Sequence, residues 1–179
     1  QNGAKKYVKR YENDEPEGKW QYYTMAGKTN AEEIYVGGKR NEEWFRIEEN
    51  GDTYYQYWDL DSLISEYADL HYPNGQLIEK ISYKKGLKDG KFTGYYENGE
   101  VKYKKRYSED LPDGKWDYYT AAGKKNEEQI YVEGKRNEEW YRKDENGDTY
   151  YQYWDLDSLV SEYADLHYSN GQLIEKISY

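Results

Sequence analysis

The sequence predicts an all-β chain, an elongated array of tandem β-hairpin repeats forming a meander or solenoid-like sheet, and three observations point there. Glycine recurs every 24 residues without a slip, at Gly3, Gly27, Gly51, Gly75, Gly99, Gly123, Gly147 and Gly171. A super-repeat of 96 residues lies over that ladder, so that 1–83 align with 97–179 at 64 of 83 identical positions. Ordinary core formers are few and polar-tipped aromatics many: Leu, Ile, Val and Phe number 25 in 179, against 25 Tyr and 6 Trp. So few core formers, with a net charge of -10 and a mean hydropathy of -1.37, would otherwise mark a disordered chain. Disordered chains are poor in aromatics, however, and one Tyr or Trp buries about 150–250 Å² while its polar tip stays wet. A fixed period of this length means stacked supersecondary units, each leaning on its neighbours.

Each element of the repeat has its own signal. Asn precedes the ladder glycine at Asn2, Asn50, Asn74, Asn98, Asn146 and Asn170, with Ala26 and Ala122 in the other two places. Asn-Gly favours positive φ at both central residues of a type I′ turn, the turn whose twist suits paired strands. Strand-forming stretches flank it, as in Trp20-Gln21-Tyr22-Tyr23 and Val101 to Tyr107. A second, looser turn is expected mid-repeat, as at Gly86-Leu87-Lys88-Asp89-Gly90 and Asp110-Leu111-Pro112-Asp113-Gly114. Just past it comes an aromatic slot, held by Trp20, Trp44, Phe92, Trp116 and Trp140. Eight residues after the ladder glycine stand Tyr11, Tyr35, Tyr83, Tyr107, Tyr131 and Tyr179. These two columns are expected to stack along the array as its core.

One stretch pulls against the pattern. In Leu60 to His71 the apolar residues fall at 60, 63, 64, 67, 68 and 71, a helical spacing with Asp59 or Asp61 available as N-cap. Yet Gly51 and Gly75 remain 24 apart, which leaves no length for a helix in addition to a turn and strand. A strand is the expectation there and in the copy at 156–167.

The domain organisation follows: 1–96 hold four repeats, and 97–179 hold a truncated second copy, in one continuous array without a linker. Divergence between the copies is uneven. Residues 49–72 match 145–168 at 23 of 24 places, differing only at Ile64/Val160, whereas 1–24 and 25–48 match at 15 and 16. Patchy divergence after duplication accounts for this, and a functional constraint on Tyr54 to Tyr72 is the alternative. The chain opens at Gln1 rather than Met, as expected of a processed chain or a fragment.

Composition and motifs narrow the function. An excess of 36 acids over 26 bases argues against a nucleic-acid partner. No apolar run approaches the roughly 18 residues of a membrane-spanning helix, and without cysteine there are no disulfides, thiolate metal sites or thiol nucleophiles. His71 and His167, the only histidines, are one equivalent pair 96 residues apart and are not expected to share a site. Asp59-x-Asp61 lacks the sixth-place Gly and twelfth-place Glu of a calcium loop. Gly37-Gly38-Lys39 lacks the spacing of a phosphate loop. No catalytic, cofactor-binding or metal residue is assigned, and no cofactor. The expectation is a non-enzymatic scaffold for protein–protein interaction or structural assembly. Its partner would be another protein or further copies of the chain, joined end to end. The aromatic run Tyr54, Tyr55, Tyr57 and Trp58, with its copy Tyr150, Tyr151, Tyr153 and Trp154, is the candidate binding surface, because exposed aromatics anchor interfaces.

These residues also resemble a known family. Tyr95-Tyr96-Glu97-Asn98-Gly99, Tyr107 and Gly114-Lys115-Trp116-Asp117-Tyr118-Tyr119 are similar to the bacterial MORN-type repeat, in the variant borne by YwqK-family antitoxins. His71-Tyr72-Pro73-Asn74-Gly75-Gln76-Leu77 and Gly86 to Phe92 fit as well. The resemblance covers the whole chain and implies hairpin arrays used as scaffolds or binding surfaces, sometimes exported. An exported or surface location is accordingly favoured over the cytoplasm, and an antitoxin-type, partner-binding role is one alternative. The third and seventh repeats depart from the pattern, lacking the mid-repeat glycines and the Trp. A weaker resemblance, through Gly18 to Tyr23 and Gly114 to Tyr119, is to choline- or glucan-binding repeats, which implies aromatic cages for a cell-envelope ligand.

Overall fold

The computed structural model describes residues 5–178, so Gly3 and Tyr179 lie outside the described residues. Among those residues there is no helix, and strands follow one another as antiparallel meanders that do not close into a barrel. The chain divides into two compact units, Gln1–Leu87 and Lys88–Tyr179.

The first unit runs β1 (Tyr7–Val8), β2 (Tyr11–Glu12), β3 (Glu15–Pro16), β4 (Gly18–Tyr23), β5 (Thr29–Val36), β6 (Lys39–Arg40) and β7 (Glu42–Ile47). It continues with β8 (Thr53–Asp59), β9 (Ser62–His71) and β10 (Leu77–Lys84), and β11 (Leu87–Lys88) follows. Its sheet order is β1-β4-β5-β7-β8-β9-β10, every neighbour antiparallel. The second unit comprises β12 (Gly90–Tyr95), β13 (Val101–Ser108), β14 (Leu111–Pro112), β15 (Gly114–Tyr119), β16 (Lys125–Val132) and β17 (Lys135–Arg136). Then come β18 (Glu138–Lys143), β19 (Thr149–Asp155), β20 (Ser158–His167) and β21 (Leu173–Ser178). Its order is β12-β13-β15-β16-β18-β19-β20-β21. Two-residue strands such as β6 and β17 extend the hairpin tips.

The two turn types are the reverse of those expected from the sequence. At the ladder glycines only the glycine has positive φ, from +76° at Gly123 to +95° at Gly147, and the preceding Asn does not. Gly75 N donates to Tyr72 O at 2.8 Å and Tyr72 N to Gln76 O at 2.7 Å, a pattern repeated at each ladder glycine from Gly27 to Gly171. This is a type I turn followed by an αL glycine, the three-residue hairpin loop. Asn serves through its side chain instead: Asn74 Oδ1 accepts from Gln76 N at 2.9 Å, and Asn98 Oδ1 from Glu100 N at 3.1 Å. Where Ala26 and Ala122 replace Asn, the Oγ1 atoms of Thr24 and Thr120 accept from Lys28 N and Lys124 N, each at 3.2 Å.

The mid-repeat turns, expected to be loose, are the tight type I′ pairs. Positive φ occurs at both residues of Asn13-Asp14, Gly37-Gly38, Lys85-Gly86, Glu109-Asp110 and Glu133-Gly134. Val36 pairs with Lys39 and Val132 with Lys135, leaving two-residue loops.

The stretch from 60 to 71 is a turn and strand, as the spacing of Gly51 and Gly75 demanded. Its turn is drawn one residue early, onto Leu60-Asp61, with φ of +44° and +73°. Pairing then jumps from Trp58↔Leu63 to Tyr57↔Ser65, so Ile64 is a bulged extra residue. A bulge breaks the two-residue alternation, which is why the apolar positions mimic a helical period. Across a ladder hairpin and the mid-repeat hairpin after it, registry advances 24 residues in Tyr22↔Ala31↔Arg46 and in Tyr118↔Glu127↔Arg142, but here Arg46↔Tyr54↔Ala68 advances only 22. A slip of two keeps every side chain on its own face, whereas a slip of one would have inverted the strand. The seventh repeat repeats the device at Leu156-Asp157.

Leucine in the left-handed region is costly, because its Cβ crowds the following carbonyl. Leu60 is also 51% exposed, so it has little packing to lose. Substituting Leu60→Asn recreates the Asn-Asp pair that Asn13-Asp14 already uses with φ of +51° and +67°. We expect stabilisation by about 0.5–1.5 kcal/mol, and a further gain from Leu156→Asn, read as higher urea midpoints. A lower midpoint would show that the leucines pack.

Candidate functional site

Cross-strand register sorts the side chains of the first unit onto two faces. Trp20, Tyr22, Tyr35, Trp44, Arg46, Tyr54, Gln56 and Trp58 share one face; Phe45, Tyr55, Tyr57 and Tyr67 share the other. On the first face the rings form an unbroken column. Tyr11–Trp20, Trp20–Tyr35, Tyr35–Trp44 and Trp44–Trp58 have centroids 5.0, 4.7, 5.1 and 5.8 Å apart. The second unit repeats it from Phe92 through Tyr107, Trp116, Tyr131 and Trp140 to Trp154, at 4.9, 5.0, 4.7, 5.1 and 5.9 Å. Trp20, Phe92 and Trp116 are buried; Trp44 and Trp140 are half-buried. Each slot indole donates to a backbone carbonyl ten residues earlier, Trp44 to Ile34 O at 3.0 Å and Trp140 to Ile130 O at 2.9 Å.

The eight aromatics expected to form one surface are dispersed. Trp58 and Trp154 belong to the core, each only 8% exposed, and this corrects their assignment to a binding surface. The guanidiniums of Arg40 and Arg136 cover their rings, with Cζ 3.8 Å from each centroid. Asp61 fixes that lid: its Oδ1 accepts from the backbone N and Nε of Arg40, at 3.0 and 3.1 Å. Those bonds hold the Asp61 carboxyl below the usual aspartate value. Tyr55 and Tyr151 are half-buried on the opposite face, stacked on Tyr67 and Tyr163 with centroids 4.2 and 4.4 Å apart. Tyr57 and Tyr153 are exposed on that face as well, 46% and 45%. Of the eight, Tyr54 and Tyr150 alone reach the column face as exposed rings, each 37%.

There they border a groove. In the first unit it has a volume of about 640 Å³ and is lined by Trp44, Arg46, Tyr54, Gln56 and Glu66, with Ala31 and Glu33 at one side and Ala68 and Ile81 at the other. In the second, about 440 Å³ is lined by the equivalents Trp140, Arg142, Tyr150, Gln152 and Glu162. Glu127 stands at the place of Ala31, and the second groove has no counterparts of Ala68 and Ile81 in its lining. Polar groups in both are oriented by the chain itself. Gln56 Nε2 donates to Glu66 Oε1 at 2.8 Å, and Gln152 Nε2 to Glu162 Oε2 at 3.2 Å. Arg46 pairs with Glu48 at 2.7 Å, and its Cζ lies 5.4 Å from the Tyr54 ring. Glu33 Oε2 accepts from the hydroxyls of Tyr22 and Tyr35 at 3.0 and 3.1 Å. Burial, then the Glu33 charge, drives the Tyr35 phenol well above its ordinary value.

One repeat earlier, the same column is closed by a lysine. The Lys9 ammonium lies 5.4, 4.2 and 5.1 Å from the ring centroids of Tyr7, Trp20 and Tyr22. In the second unit Lys105 lies 4.5, 4.8 and 5.0 Å from Tyr103, Trp116 and Tyr118. At the grooves that position is Glu33 or Gln129. Sequence reading missed Arg46, Gln56 and Glu66 as a group, because only the two-residue slip sets Glu66 opposite Gln56.

No protein-family model matches the chain, and no curated protein matches it. Among solved structures, the chain is similar over 74% of its length to a mutant of S. aureus TarM in complex with Fondaparinux, alpha-GlcNAc-glycerol and UDP. Identity is 12% and the TM-score 0.22, and the chain spans 21% of that structure's length. A likeness at that score carries no argument.

Proposed function

We propose that the chain is a non-enzymatic repeat scaffold for protein–protein interaction. The observation that carries this reading is the duplicated groove: five of its lining residues, Trp44, Arg46, Tyr54, Gln56 and Glu66, recur unchanged as Trp140, Arg142, Tyr150, Gln152 and Glu162. Catalysis needs one convergent constellation, whereas a site repeated in one chain gains from multivalent attachment. Half-buried aromatics ringed by oriented polar groups are the composition of interface anchors.

The test is photo-crosslinking of the full chain in its host, with a benzophenone side chain placed at Tyr54 in one protein and Tyr57 in another. A discrete protein adduct from either face supports the reading. A crosslinking pattern no different from that of a probe at exposed Met25 overturns it. Sedimentation at rising concentration separates a foreign partner from self-assembly, since only self-assembly raises the sedimentation coefficient of the pure chain.

A further inference from the structure

The duplicated grooves indicate the chemical group they receive, because one repeat earlier the chain sets its own ammonium against the slot indole. Lys9 and Lys105 each set an ammonium about a cation–π distance from three rings, one of them the slot indole. Twenty-four residues on, the indole is kept as Trp44 and Trp140, while lysine is replaced by Glu33 and Gln129. Of each three-ring cage only the indole remains: Ala31 and Glu127 take the places of Tyr7 and Tyr103, Arg46 and Arg142 those of Tyr22 and Tyr118, and an oxygen acceptor stands where the lysine was.

The remaining lining agrees. On the column face, carboxylates outnumber cations in both grooves: Glu33 and Glu66 against Arg46, and Glu127 and Glu162 against Arg142. Arg46 is itself neutralised by Glu48 at 2.7 Å. The whole chain carries -10, which draws cationic segments and disfavours a second copy as occupant. Gln56 and Gln152, with amide groups already aligned by Glu66 and Glu162, suit the carbonyls of an extended backbone.

Resting on the protein-binding reading above, we infer that each groove receives a lysine side chain from an extended, basic segment of the partner protein. The ammonium packs against Trp44 or Trp140 and is met by Glu66 or Glu162. Two grooves per chain make a partner with two spaced lysine segments bind with avidity.

The experiment titrates the full chain with a synthetic pentalysine peptide and with its Nε-acetylated form, followed by tryptophan fluorescence and calorimetry. Saturable binding at two sites is expected, weakened at least tenfold by acetylation and also by raised salt. A chain carrying Glu33→Lys and Gln129→Lys would set an ammonium against each groove indole, as Lys9 and Lys105 do one repeat earlier, and should fold yet lose the peptide. Glu66→Gln with Glu162→Gln is the milder second variant, expected to weaken binding severalfold. A control with Glu12→Lys and Glu145→Lys, exposed and outside the grooves, changes net charge by more and should retain binding. Equal affinity for the acetylated peptide overturns the inference, as does equal loss in the control. Saturable binding of a glucan oligosaccharide with no response to pentalysine also overturns it, and assigns the grooves to sugars. Crosslinks from Tyr57 with no pentalysine binding would sink the groove assignment and leave the scaffold reading standing. Failure of both experiments would remove both.

Discussion

Replacing Trp116 by alanine should destabilise the second unit by about 3–5 kcal/mol, the range for deleting a buried indole. Three losses combine at that position. The ring is only 7% exposed and sits between Tyr107 and Tyr131, with centroids 5.0 and 4.7 Å away. Its Nε1 donates to Arg106 O at 2.9 Å, so alanine also removes one of that carbonyl's two donors, the other being Asp113 N at 3.0 Å. Lys105 loses the indole face that lies 4.8 Å from its ammonium. The neighbouring rings cannot close the gap easily, because the ladder holds their strands about 4.8 Å apart. Met25→Ala is the reference, since Met25 is 86% exposed and should shift stability by less than about 0.5 kcal/mol. Urea unfolding followed by circular dichroism measures both. Hydrogen exchange should place the loosened amides of Trp116→Ala in β15 and its partners β13 and β16. Matching midpoints for the two variants would mean the ring column is not the core.

Why that column is legible in the sequence and the groove is not follows from how each is encoded. A glycine with φ between +76° and +95° is demanded once in every 24 residues, at the same point of each ladder hairpin from Gly27 to Gly171, so the period can be read directly from the chain. The slot aromatics keep a fixed offset from it, and their stacking follows. Turn type is misleading at these points because Asn-Gly suits two positive-φ residues, whereas loop length assigns only glycine to that region and uses Asn74 as an acceptor for Gln76 N. The real type I′ turn at Leu60-Asp61 gives no sequence signal, since leucine is a poor residue for it. Chain length correctly excludes a helix in 60–71, but it does not reveal the bulge at Ile64 or the two-residue slip. Both decide which residues meet across strands. Trp58 therefore reads in sequence as part of a surface row, although register sends it into the core under Arg40. The groove needs Trp44 and Arg46 of β7, Tyr54 and Gln56 of β8, and Glu66 of β9 on one face. No single segment carries that pattern.

Alkaline pH should unfold this chain through its tyrosines. Burial raises the phenols of Tyr22, Tyr35, Tyr55, Tyr67, Tyr118, Tyr131 and Tyr141 above their ordinary value of 10.0. Tyr163 is pushed up to about 12, first by its hydrogen bond to Glu139 and then by burial. The bond is 2.7 Å long and places a phenol beside a carboxylate, where a phenolate would be repelled. The sign follows from proton counting. Above pH 10 the unfolded chain has released phenolic protons that the folded chain retains, so the folded state binds more protons and its stability falls as pH rises. The contribution is complete below pH 10 and disappears as each phenol passes through its own raised folded-state value, about 12 for Tyr163. Phenolate absorbance at 295 nm should therefore rise later in the folded chain than in urea, and urea midpoints should drop steeply between pH 10 and 12. Glu139→Gln removes the repelling charge, so Tyr163 should ionise earlier in that variant. With its folded value closer to the unfolded one, its share of the alkaline loss of stability should shrink. Superimposable titrations of the folded and unfolded chains would show that these phenols gain nothing from the fold. An unchanged titration in Glu139→Gln would detach Tyr163 from its carboxylate.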